Sequence, residues 1–256
     1  MARWMDEPWA TNPEFLLESL DKFYRKAMAA GKCESPSQTT MKKVLENRKW
    51  CASVSRVKLL AAIQDMEVIW IPASVEPGPG FLFPIRDTSG EVRRAHIRMV
   101  DEKKFNCKYL SLVNKDRFTG PAWLGDSDEK LEGIIHAGQV VVMEGPFDLL
   151  AIRAVAAIPD LCPLTKRLSD LHWEYLRILG VKKIRPIFDN EVSGVGEKAA
   201  ERMAEFSNGI VVEPLLCPGK DPAECLKDPT RLRLLCAALE SSNPNPDPVS
   251  FDEDDY

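Results

Sequence analysis

At 256 residues the chain has room for one large domain or two modest ones, and with 45% hydrophobic and 29% charged residues it can bury a core in water. Its uninterrupted apolar runs, such as 59–63 and 140–143, are far too short to span a bilayer. The start, MARWMDEPW, lacks the apolar stretch of a secretory signal, so a cytoplasmic protein with no membrane partner is expected.

The first 65 residues read as helical and basic. Asn12-Pro13 and Ser35-Pro36 are helix-start signals, and Gly31 is a stop between them. Leu16, Leu20, Phe23 and Ala27 recur at helical spacing in the first segment. The second helix is expected to end near Arg48 and a third to cover 53–64. Between residues 22 and 58 there are ten Lys or Arg against two acids, a charge balance suited to gripping phosphates. A solvated charged face would read the same way.

Residues 66–133 suggest a small β-rich, basic subdomain. A strand is expected at 68–71, then the turn-rich EPGPG, then a hairpin of 81–86 and 91–99 around DTSG. From residue 134 short apolar runs alternate with helical segments: strands at 140–143, 183–188 and 209–212, a short segment at 161–164, and helices at 147–157, 170–179 and 196–206. Two short helices follow near Ala223 and Arg231. This alternation means an α/β fold, a parallel sheet flanked by helices. The last sixteen residues hold five acids and no base, and 241–256 is expected to be a disordered acidic tail. The seven cysteines show no CxxC or CxxH spacing, so no zinc is expected and buried thiols are.

Two of the predicted strands end in acids. VVVM delivers Glu144, followed by Gly145-Pro146-Phe147-Asp148, and IRPIF delivers Asp189, followed by Asn190-Glu191. In an open α/β sheet functional groups gather beyond the carboxyl ends of the strands. If these two strands are neighbours, Glu144, Asp189 and Glu191 converge on one crevice. Their mutual repulsion then calls for a hard divalent cation, and oxygen-only ligation favours Mg2+ or Mn2+. Any one such acid alone reads more simply as a helix cap, Asp148 included; the pair of motifs reverses that preference.

EGPFD (144–148) followed by FDNEVSG (188–194) resembles the TOPRIM signature, an EGxxD motif and then DxD with a downstream glycine. FLFPIRDTSGEV (81–92), KYLS (108–111) and CPGKDPAECL (217–226) are similar, in order, to further segments of the DnaG-like bacterial primases. The resemblance covers about residues 80–240 and implies a TOPRIM-type sheet with catalytic acids Glu144, Asp189 and Glu191, joined as metal ligands by Asp148 and Asp221. Arg86, Arg98, Lys108, Lys115 and Lys220 would hold the template and triphosphate. Tyr109 and Trp123 offer faces for base stacking, although core roles suit them better. The implied activity is synthesis of short RNA primers on single-stranded DNA from nucleoside triphosphates, with a replicative helicase or other replication protein as a further partner. Three departures stand out. The second acid of DxD is Glu191, Ala223 replaces the second acid of the DPD-like segment, and the zinc-binding module and helicase-linked domains are missing, as in a pared-down core from a phage or mobile element. Two alternatives stay open: a TOPRIM nuclease, in which the metals activate water, and a non-catalytic module that binds nucleic acid or a replication protein.

Overall fold

The computed structural model describes residues 36–74, 79–86, 92–100, 108–113, 123–124, 128–164, 167–188 and 195–240. The expected helix after Asn12-Pro13, the DTSG turn and the acidic tail lie outside the described residues.

Helix α1 (Pro36–Arg48) starts on its proline, which needs no amide partner in the first turn, and stops where Lys49 takes a left-handed φ of 54°. Helix α2 (Arg56–Asp65) is capped by Ser55, whose hydroxyl accepts from the Lys58 amide at 3.4 Å. Between them Trp50 donates its indole N–H to the Ala223 carbonyl at 2.9 Å, and the Cys51 amide donates to the Leu226 carbonyl at 2.7 Å. The helical segment is thereby stapled to the far end of the chain.

An antiparallel sheet follows: β1 (Ile69–Ile71), β2 (Gly80–Arg86), β3 (Val92–Met99) and β4 (Tyr109–Val113) in that order, with β5 (Trp123–Leu124) also on β2. The expected hairpin is β2 and β3, with Phe83 opposite His96. Strands β4 and β5 were not anticipated. Pro84 cannot donate to a ladder, and it falls in the gap between the residues that pair with β1, through Leu82, and those that pair with β5, from Ile85.

Helix α3 (Asp128–Ala137), also unanticipated, leads into the second sheet. Its strands are β6 (Gln139–Met143), β7 (Asp160–Leu161), β8 (Lys183–Ile187) and β9 (Val211–Val212), all parallel in the order β7-β6-β8-β9. The crossovers carry α4 (Pro146–Arg153), α5 (Asp170–Ile178) and α6 (Val195–Glu205). Helices α7 (Pro222–Cys225) and α8 (Pro229–Glu240) close the described chain, the second longer than the short helix expected near Arg231.

Strand β6 is apolar throughout because both its faces are covered. Val141 and Met143 enter one core with α1, α2, β2, α4, α7 and α8, through residues such as Val44, Leu59, Phe83, Leu150, Cys225 and Leu235. Val140 and Val142 enter the other, with Ile134, Trp173, Leu176 and Met203 from α3, α5 and α6. A buried ion-pair cluster ties the first core together. Arg153 of α4 meets Asp160 of β7 through Nε at 3.0 Å and reaches Asp65 of α2 through Nη1 at 2.6 Å. Among the described residues no helix is long and apolar enough to cross a membrane.

Candidate active site

Strands β6 and β8 are adjacent, parallel and in register, with Met143 level with Ile187. The strand order places the switch point of the sheet between them, since the chain leaves β6 for β7 on one side and returns to β8 on the other. At such a point the loops diverge and open a crevice at the carboxyl ends. Both acid-bearing turns begin there. Glu144 directly follows Met143; Asp189 comes two residues after Ile187 and, with Glu191, lies outside the described residues.

Glu144 is half-buried, and its Oε2 is shielded from solvent. Its own carbonyl accepts from Cys162 Sγ at 3.5 Å, which holds the turn against the loop after β7. Complete burial pushes the Cys162 thiol up, so it stays protonated and is a poor metal ligand. Gly145 is the N-cap of α4, and a Cβ added there would lie 2.6 Å from Asp148 Oδ2. Only glycine lets that carboxylate fold back over the turn. Asp148 Oδ1 accepts from the Ala223 amide at 3.3 Å, at the start of α7. Asp221 caps the same helix, its Oδ1 accepting from the Glu224 amide at 2.6 Å. Both acids thus carry structural duties, and these bring the turn after β6 and the GKDP loop together.

The basic candidates divide. Arg98 and Lys108 flank one ring, with the guanidinium carbon 5.0 Å and the ammonium nitrogen 5.8 Å from the Tyr109 centroid. His96 stacks on that ring at 4.6 Å. Burial pushes the Tyr109 phenol up; the charges of Arg98 and Arg48 oppose this, while those of Asp148 and Cys162 add to it. Lys220 is exposed next to Asp221. Arg86 closes β2, its side chain outside the described residues, and Lys115 lies outside them altogether.

Arg48, at the end of α1, was not singled out from the sequence. Its guanidinium carbon sits 4.6 Å from the centroid of Phe147, between Pro146 and Asp148, and its charge reaches both Tyr109 and Glu224. Nothing in its local pattern marks it, because its partners are far away in sequence; only the charge density of 22–58 pointed towards this region.

Among the described residues no three carboxylate, thiol or imidazole side chains gather as a metal cage. The donors that border the turn after β6 are carboxylate oxygens beside a protonated thiol, a set that fits a hard cation better than a soft one.

No family model matches the chain. A stretch of 146 residues is 27% identical to a DNA primase of Deinococcus radiodurans, covering 57% of this chain and 25% of that protein. The match therefore spans about a quarter of the relative's length. The RNA polymerase domain of primase DnaG from Mycobacterium tuberculosis superposes with a TM-score of 0.63 at 18% identity, covering 86% of this chain and 83% of that one. The same domain in complex with a double-stranded DNA oligomer bearing a 6-nucleotide overhang gives 0.58 at 18% identity, with coverages of 86% and 79%. The zinc-binding and RNA polymerase domains of the Aquifex aeolicus primase give 0.62 at 19% identity, with 93% of this chain and 63% of that one covered. At these identities the shared property is the fold.

Proposed function

We propose that this chain, which has the fold of the DnaG primase catalytic core, synthesises short RNA primers on single-stranded DNA by metal-assisted nucleotidyl transfer. The observation that carries the reading is the in-register adjacency of β6 and β8 at the switch point of the sheet, with an acid motif directly after each strand. Glu144, Asp189 and Glu191 would hold Mg2+ or Mn2+, with Asp148 and Asp221 at the edge of the site through the start of α7. The bound cation would lower the pKa of the attacking 3′-hydroxyl and stabilise charge on the transferring phosphoryl group.

The chain's own residues position the reactants. Arg98 and Lys108, both close to the Tyr109 ring, present positive charge there and would hold triphosphate and template phosphates. Lys220 adds a cation beside Asp221, and the primase resemblance adds Arg86 and Lys115 as further phosphate contacts. The relative's name and the DNA-bound neighbour support a nucleic-acid template.

The test is incubation with labelled nucleoside triphosphates, single-stranded DNA and Mg2+. Growing oligoribonucleotides are expected, and Glu144→Gln should lower synthesis by roughly 10²–10³-fold, the scale for removing one preorganised electrostatic contact, while leaving DNA binding nearly intact. Shortened DNA would indicate a nuclease, and neither product would indicate a binding module.

A further inference from the structure

Beyond the carboxylates, the GKDP loop holds a pair of thiols that the proposed reaction does not use. Cys217 and Cys225 are both buried, and their sulfurs are 3.7 Å apart in hydrogen-bonding geometry. The chain between them carries Lys220 and Asp221, with Pro218 and Gly219 half-buried and Lys220 exposed. Gly219 is pressed onto the pair, for a Cβ there would be 2.8 Å from Cys225 Sγ. We infer that Cys217 and Cys225 form a reversible disulfide that closes and tightens the 217–225 loop, which carries Lys220 and Asp221.

The direction of movement is set by what is anchored. Helix α7 is held by the Ala223 amide on Asp148, the Trp50 indole on the Ala223 carbonyl, and the Cys51 amide on the Leu226 carbonyl. Cys225 sits fully buried in that core. A disulfide needs about 2.05 Å between sulfurs, so closure shifts the 217–220 arm, which bears Lys220 and joins Asp221 at the N-cap of α7.

Hydrogen peroxide, a small neutral two-electron oxidant, supplies the oxidation. One of the two thiols, as thiolate, attacks one peroxide oxygen, the O–O bond breaks, and the departing hydroxide takes up the thiol's proton as water. The resulting sulfenic acid is attacked by the other sulfur, the S–O bond breaks, and a second water leaves. Two thiols have then lost two hydrogens, and one peroxide has become two waters. The consequence for synthesis rests on the proposed function; the cross-link does not.

The test treats the full chain with peroxide, then alkylates, digests and maps it by mass spectrometry. One cross-linked peptide pair joining Cys217 to Cys225, released by dithiothreitol, is expected. The oxidised chain should bind Mn2+ about tenfold more weakly, and primer synthesis should fall and recover on reduction. Cys217→Ser should make both properties indifferent to peroxide, with Cys225→Ala as a second variant. Both thiols alkylated after unfolding as in untreated protein, or both carried to sulfinic acid without a link, would overturn the inference. So would a cross-link that leaves Mn2+ affinity unchanged. A chain that makes no primers in either redox state would sink the proposed function instead, with the cross-link and metal affinity still deciding this one.

Discussion

Glycine 145 shows how a single side chain, or its absence, sets the site. The space a Cβ would fill is taken by Asp148 Oδ2, so Gly145→Ala must rotate that carboxylate and break its bond to the Ala223 amide. Loss of one such hydrogen bond costs about 1 kcal/mol. The fold should therefore survive, with a small drop in melting temperature and a much larger fall in primer synthesis; an alanine variant with unchanged synthesis would remove Asp148 from the machinery. His96 makes a separate prediction. Burial first, and the Arg94 guanidinium second, push it from 6.5 down to about 4. The unfolded chain thus takes up a proton that the folded chain refuses. Stability is complete above pH 6.5 and declines as pH falls from 6.5 to about 4, by up to about 3 kcal/mol. Chemical denaturation across that window should show the slope, and His96→Phe, which keeps a ring against Tyr109, should flatten it.

At the scale of elements, the joints between them hold the fold. Arg153 links α4 to β7 through Asp160 and to α2 through Asp65, with both the Arg153 and Asp160 side chains nearly or fully out of solvent. Asp160→Ala leaves a buried guanidinium with only part of its partners, and a loss of about 3–5 kcal/mol is expected in urea unfolding. A loss below 1 kcal/mol would mean the cluster is dispensable. The same physics decides which elements were readable from sequence. The runs 140–143 and 183–188 are apolar because β6 and β8 are covered on both faces, and that signal survives without knowledge of their neighbours. Strand β4 was missed because β-structure depends on its partner, here β3, which the local pattern of YLSLV does not reveal. Helix α3 was missed because DEKLEGIIHA carries four charges and a glycine ahead of its apolar stretch, so its buried face reduces to residues such as Ile134.

On the scale of the whole molecule, the two sheets meet through a single core that runs from α1 and β2 to α4 and α8. That junction seats Phe81 and Phe83 of β2 and Arg48 of α1 on Phe147, within the acid turn after β6. The acids themselves were legible, because each follows an apolar run and takes a glycine nearby. The reach of Arg48 onto Phe147 and the stapling of Trp50 to α7 were not, since both are tertiary contacts between segments with no shared local pattern. The adjacency of β6 and β8, which the sequence left as a condition, is met. The proposed function has the two acid motifs, which start from these neighbouring strand ends, share one cation. Titration of the chain with Mn2+, followed by calorimetry or the magnetic resonance of the free ion, reads this directly. One saturable site in the wild type is predicted, weakened at least about tenfold in both Glu144→Gln and Asp189→Asn, with unfolding curves unchanged. Wild-type affinity in either variant would contradict an ion held between the ends of the two strands.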